Sequence, residues 1–309
     1  MKYYTTLILL LSLCIANPMS AQEFIPIWDA GHMPNSKGVV VKDNMNEELI
    51  YQVAIPGVYV FRPSKAENKG AAVLILPSGG YSVLSYATGF QLAKWFNTIG
   101  ITAYVLKYRL PHSPDVVEPY KAPLQDAQRA MRLIRSKAKE YGCDEARVGV
   151  MGASAGGHIA ACLSTVDESW YEAADTIDGK SFTPSFAILI SPVISMLEAT
   201  HVPSRNMLLG KNAPQSIAEE LSCQLHVNSQ TPPSFIVHAE NDDTVSPVNS
   251  LLYYNSLLKQ NIKGSTLHIF PEGGHSIRVR KNPGTTRFWT ELAENWLIEI
   301  GIINNDNQN

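Results

Sequence analysis

The chain has 309 residues, 45% of them hydrophobic and 17% charged, with a formal net charge of −3. That balance suits a folded chain with room for one large α/β domain, and it excludes a disordered or low-complexity one. There is no basic excess to suggest nucleic acid as a partner and no acidic tail.

Lys2, an apolar run over 7–15 and then Asn17-Pro18-Met19-Ser20-Ala21 have the three parts of a cleavable secretory signal, expected to end at Ala21. The apolar core is too short for stable insertion into a bilayer. The mature chain, 22–309, is therefore expected to be secreted or periplasmic. It has no internal repeat or linker and reads as one domain; nothing in it indicates an oligomeric state. Of the remaining cysteines, Cys143, Cys162 and Cys223, at most one bridge can form, and their spacing is not that of a metal-ligand set. Neither metal nor cofactor is expected.

In chain order, 25–28 and 58–61 read as short strands at the antiparallel edge of a sheet. Residues 71–76 are a continuous apolar run, the pattern of a strand buried on both faces, and Pro77-Ser78-Gly79-Gly80-Tyr81 follows at once. The glycine pair lets the backbone come close to something. Residues 86–98 read as a helix ended by Gly100, and 101–106 as a second buried strand. The longest amphipathic pattern is 122–141, with Ala127, Ala130, Met131, Leu133 and Ile134 on one side and charges on the other. A strand is predicted at 147–151 and a small-residue helix at 158–163. Further strands fall at 186–190, 234–238 and 266–270, and further helices at 248–258 and 288–300. Strands alternating with helices argue for a mostly parallel sheet covered on both faces. The irregular stretch 191–233, with short helices over 196–221, is placed where a small cap would sit.

Met151-Gly152-Ala153-Ser154-Ala155-Gly156-Gly157-His158 joins the strand at 147–151 to the helix after it, and puts Ser154 in the G-x-S-x-G spacing. A random chain of this length carries that pentapeptide roughly one time in ten, so the strand-turn-helix context carries the argument. A turn that tight strains the serine backbone and leaves no space for a Cβ two residues to either side. Ser154 is thereby presented at the end of a strand. The amide of Ala155, at the positive end of the next helix, points where an oxyanion would form, and the amides of Gly79 or Gly80 are candidates for the second donor.

A serine hydroxyl needs a base, and the base an orienting carboxylate. In this strand-turn-helix setting they are expected in the order serine, acid, histidine, on loops after later strands. Asp242, in the acid-rich turn after 234–238, and His275, behind Gly273-Gly274, fit that order; Asp243 and Glu240 remain alternatives for the acid. His238 and His268 lie inside strand patterns and read as packed or structural. Such a mechanism predicts a rate that rises with pH as the base loses its proton.

Together, the elbow, the Pro77 to Tyr81 loop, the stretches Ser204 to Gly210 and Thr231 to Phe235, and the His238 to Val245 turn resemble the secreted carbohydrate esterases of the α/β-hydrolase superfamily. The similarity is to acetylxylan esterases and feruloyl-esterase-like enzymes, and covers nearly the whole mature chain. It implies a sheet of about eight strands, Ser154 as nucleophile, Asp242 as acid and His275 as base. It also implies removal of O-acetyl groups from xylan or xylo-oligosaccharides, so that the expected partner is an acetylated polysaccharide or oligosaccharide. Trp28, Tyr81, His112 and His158 are candidates to line such a site. A feruloyl esterase, an aryl formamidase, a small peptidase with the same triad and a non-catalytic binding protein of this fold are the alternatives.

Overall fold

The structure, a computed structural model, describes residues 22–29 and 31–304; the expected signal at 1–21 lies outside the described residues. Its first half contains β1 (Phe24–Pro26), β2 (Asn44–Met45), β3 (Ile50–Gln52), β4 (Gly57–Phe61), β5 (Ala72–Leu76), α1 (Tyr86–Thr98), β6 (Thr102–Lys107), α2 (Lys121–Lys137), β7 (Val148–Ala153) and α3 (Ala155–Thr165). The second half adds β8 (Ala187–Ile190), α4 (Val202–Leu209), α5 (Gln215–Glu220), β9 (Ser234–Ala239), α6 (Val248–Lys259), β10 (Thr266–Phe270) and α7 (Trp289–Glu299).

Eight strands form one sheet in the order β1-β4-β6-β5-β7-β8-β9-β10. β1 and β4 pair antiparallel, as do β4 and β6, while every pair from β6 through β5 to β10 is parallel. A mostly parallel sheet is what the alternation of patterns predicts, and eight strands is the number that the resemblance to α/β-hydrolases implies. β2 and β3 form a separate small ribbon that the sequence reading passes over, because strands of two and three residues carry no readable period.

β5 shows why the central strands read as unbroken apolar runs. Its side chains alternate between two cores: Ala72, Leu74 and Leu76 face one, Val73 and Ile75 the other, and all five are buried. α2 and α3 cover the first face; Leu92 and Phe96 of α1 and Trp296 and Leu297 of α7 cover the second.

α2 departs from expectation on its charged side. Gln125, Asp126, Gln128, Arg129 and Arg132 are buried as deeply as its apolar side. Each charge has a partner: Arg109 meets Asp126 at 2.8 Å, Arg129 meets Asp178 at 2.9 Å, and Trp28 donates its indole N–H to Asp126 at 2.7 Å. Burial of ions is tolerated only with such pairing, and the pattern of one sequence cannot show the partner.

The topology fixes where a site can be. From β5 the chain crosses through α1 to β6 on one side; from β7 it crosses through α3 to β8 on the other. The crevice between the carboxyl ends of β5 and β7 is the switch point at which open α/β sheets bind ligands. Both glycine-rich loops singled out in the sequence start there.

Candidate active site

At the end of β7 the chain turns so sharply that Ser154 adopts φ 54° and ψ −121°, a left-handed conformation unusual for a residue with a Cβ. Two glycines permit it. A Cβ on Gly152 would lie 2.1 Å from the Gly156 carbonyl oxygen, and one on Gly156 would lie 2.1 Å from the Leu76 carbonyl oxygen. The elbow is thus packed backbone to backbone, both within itself and against the end of β5.

His275 Nε2 lies 2.9 Å from Ser154 Oγ, and His275 Nδ1 lies 2.8 Å from Asp242 Oδ2. A carboxylate only accepts, so Nδ1 carries the proton and Nε2 is left to accept from the serine hydroxyl. Of the candidate acids, Asp242 makes this contact, whereas Asp243 pairs with Thr244 Oγ1. The two supporting loops are tied together by the Gly274 amide, which donates to Asn241 Oδ1 at 2.9 Å.

Asp242 is held by more than its histidine. Oδ1 accepts the amides of Thr244 and Val245, and Oδ2 accepts both His275 Nδ1–H and His238 Nε2–H, the latter at 3.1 Å. Burial pushes this carboxyl upward in pKa, but the hydrogen bonds from His238, His275 and the Val245 amide outweigh it and hold the group well below the usual carboxylate range. His238 is the structural histidine expected from its strand position; its role in holding the acid is the part missed. The signal for it was the i, i+4 spacing to Asp242.

In the loop expected to offer a second oxyanion donor, Gly79, Gly80 and Tyr81 follow β5 with φ of 137°, 61° and 64°. A Cβ on Gly79 would come within 2.0 Å of the Val83 carbonyl oxygen. Among the described residues the amides of Ala155, Gly79 and Gly80 donate to no protein acceptor, which leaves them available to an oxyanion.

All four residues considered as lining are elsewhere. Trp28 is buried on Asp126, and Tyr81 and His158 are fully buried against each other. The Leu221 carbonyl accepts from His158 Nε2–H at 2.7 Å, so His158 Nδ1 accepts the Tyr81 O–H at 2.6 Å. This pair braces α3 against both the loop after β5 and the cap. His112 is exposed, with Nε2 3.3 Å from the Tyr51 carbonyl oxygen, and lies outside the cavity at Ser154.

That cavity has a volume of about 330 Å³ and a polar lining that includes Glu48, Ser78, Thr88, Gln91, Ser276 and Arg278. Glu48 arrives because the Ile50 amide and carbonyl pair with those of Leu84, docking the β2–β3 ribbon on the loop after β5. From the cap, α4 brings Ser204, hydrogen-bonded to His201 at 2.8 Å, next to Gly80. Burial lowers the pKa of His201, and its closeness to His275 lowers it further. Neither Glu48 nor His201 carried a motif that could have marked it.

His158, Cys162 and Cys223 form a buried group with ligand-type atoms within 4.8 Å of one another. Both nitrogens of His158 are already engaged, and burial holds the Cys162 thiol well above its ordinary pKa. A metal there would have to displace one of those bonds and take protons from the sulfurs, so the group fits a packed cluster better than a ligand set. Cys162 and Cys223 are free thiols with their sulfurs 3.4 Å apart.

Among known proteins, the BD-FAE family profile matches residues 59–257. An acetylxylan esterase from Xylanibacter ruminicola is 36% identical over 238 residues, 75% of this chain and 45% of the relative. Endo-1,4-beta-xylanase B from Butyrivibrio fibrisolvens is 33% identical over 229 residues, 73% of this chain and 35% of the relative. The chain thus spans less than half the length of either relative. Among solved structures, an acetyl ester-xyloside bifunctional hydrolase from Caldicellulosiruptor lactoaceticus superposes with TM-score 0.77 and 33% identity, covering 92% of this chain and 98% of the other. Esterase 2 of Thermogutta terrifontis, solved phosphorylated by paraoxon, superposes with TM-score 0.68 and 26% identity over 89% of this chain and 97% of the other.

Proposed function

The chain belongs to the BD-FAE family, and from that membership and the geometry at Ser154 we propose that it is a serine carboxylesterase that removes O-acetyl groups from xylan or xylo-oligosaccharides. The observation that carries this reading is the relay Ser154–His275–Asp242, with contacts of 2.9 and 2.8 Å and the serine opening into a polar cavity. The likeness to an acetylxylan esterase and to an acetyl ester-xyloside hydrolase supports the choice of substrate.

His275 Nε2 takes the Ser154 proton as Oγ bonds to the acetyl carbonyl carbon, and the amides of Ala155 and of Gly79 or Gly80 hold the oxyanion. The imidazolium faces the ionised Asp242 and hands its proton to the departing sugar hydroxyl as the ester C–O bond breaks. Water then loses a proton to His275, attacks the acetyl-enzyme and releases acetate, and Ser154 recovers its proton. The N-terminal pattern ending at Ala21 supports a secreted or periplasmic location, where such a polymer is met.

The test compares acetate release from acetylated xylo-oligosaccharides with turnover of aryl ferulate and aryl formamide. We expect kcat/KM for the acetyl ester to lead by at least about tenfold. Preference for the ferulate or the formamide would overturn the assignment of the acyl group.

A further inference from the structure

The cavity at Ser154 does not end at its own mouth. Gln91 and Arg278 line it and also line a second, open groove of about 970 Å³. One side of that groove is the exposed face of α1, where Gln91, Lys94 and Thr98 stand three and four residues apart and so share one side of the helix. From Gln91 to Thr98 the helix rises roughly 10 Å, which makes the groove the length of an oligomer and longer than a single ion needs. The opposite side is the loop that follows His275.

Its charge is one-sided. Lys94, Arg278, Arg280, Lys281 and Arg287 line the groove, and no acidic residue does. All five are exposed, and among the described residues none of them is in an ion pair. In a chain of net charge −3, five uncompensated cations along one groove repel one another and create a local positive field. Phe288, 42% exposed with the Arg287 guanidinium 4.7 Å from its ring centre, adds an apolar face against which a sugar ring can lie.

We propose that this groove binds the carboxylates of an acidic polysaccharide, a uronic-acid-bearing chain whose acetyl ester is thereby led into the cavity at Ser154. The proposal rests on the esterase reading for the ester, while the groove's preference for carboxylates stands on the five cations. A sugar polymer is favoured over nucleic acid because the groove adjoins, at Gln91 and Arg278, the cavity that holds Ser154.

The experiment measures binding by calorimetry to the Ser154→Ala protein, so that turnover does not interfere. The ligands are an acetylated xylo-oligosaccharide with a uronic-acid branch and its neutral counterpart, at about 0.02 M and about 0.5 M salt. The acidic ligand is expected to bind about tenfold tighter at low salt, with the advantage shrinking at high salt. In Lys94→Gln/Arg280→Gln/Lys281→Gln on the same background the advantage is expected to disappear, and an unshifted thermal midpoint shows that this variant is folded. Equal affinity for the two ligands, a preference that survives the triple substitution, or equally tight binding of short DNA would each overturn the proposal. Hydrolysis of the neutral ester by the unsubstituted protein tests the esterase reading separately. Preference for the acid without turnover of any ester would sink that reading and leave the groove's ligand standing.

Discussion

His238 Nε2 lies 3.1 Å from Asp242 Oδ2, the same oxygen that accepts His275. The acid is therefore set between two imidazoles, one turned to the serine and one buried in β9, where Ser250 Oγ holds its other nitrogen at 2.8 Å. His238→Ala removes one donor from a buried carboxylate without touching the serine or its base. A loss of roughly 10- to 100-fold in kcat/KM is expected on an aryl acetate, smaller than the roughly 10⁴-fold expected for Asp242→Asn. Equal losses in the two variants would mean that His238 does more than hold the acid.

Acid stability follows from the same carboxyl. Its folded pKa is held well below the ordinary value, so the stabilisation is fully present above the unfolded pKa of about 4 and is lost as pH falls below it. The thermal midpoint of the unsubstituted protein is expected to exceed that of Asp242→Asn at neutral pH, and the gap is expected to narrow as pH falls from about 5 to about 3. A gap that stays constant over that range would contradict the charge-based account.

The elbow makes a packing prediction. On Gly156 an added methyl would meet the Leu76 carbonyl oxygen at 2.1 Å, whereas on Gly179 it would meet nothing within 4 Å. Gly156→Ala is expected to lower stability by roughly 1–3 kcal/mol, while Gly179→Ala stays within about 0.5 kcal/mol. Denaturant unfolding of both variants checks the contrast.

His201 gives a prediction about the cap. It lies close enough to His275 for that charge to bear on its pKa, and it anchors Ser204 beside Gly80. His201→Ala is expected to raise KM for an acetylated sugar by roughly 3- to 10-fold with kcat largely kept, the pattern of lost ground-state binding. A fall in kcat at constant KM would instead give His201 a part in the chemistry.

How far the sequence reaches can be seen in which residues it found. That Ser154, Asp242 and His275 come together was legible because each lies just beyond a strand, and because glycine spacing and chain order are local signals. The parallel centre of the sheet was legible because buried parallel strands are apolar on both faces, as β5 is. What stayed hidden depends on contacts across the chain. Arg129 and Asp178 look like solvent charges until the fold pairs them, and Tyr81 and His158 look like site residues until each is seen to satisfy the other. Glu48 reaches the cavity through the pairing of Ile50 with Leu84, which no pattern within either segment announces.

The central claim is that Ser154 is the acyl-accepting nucleophile, and the most direct measurement is acetate release from acetylated xylo-oligosaccharide by the protein beside Ser154→Ala. The account predicts turnover that falls by at least about 10³-fold in the variant while its fold is kept. Turnover unchanged by the substitution would contradict it, and the relay at the end of β7 would then be a structural feature alone.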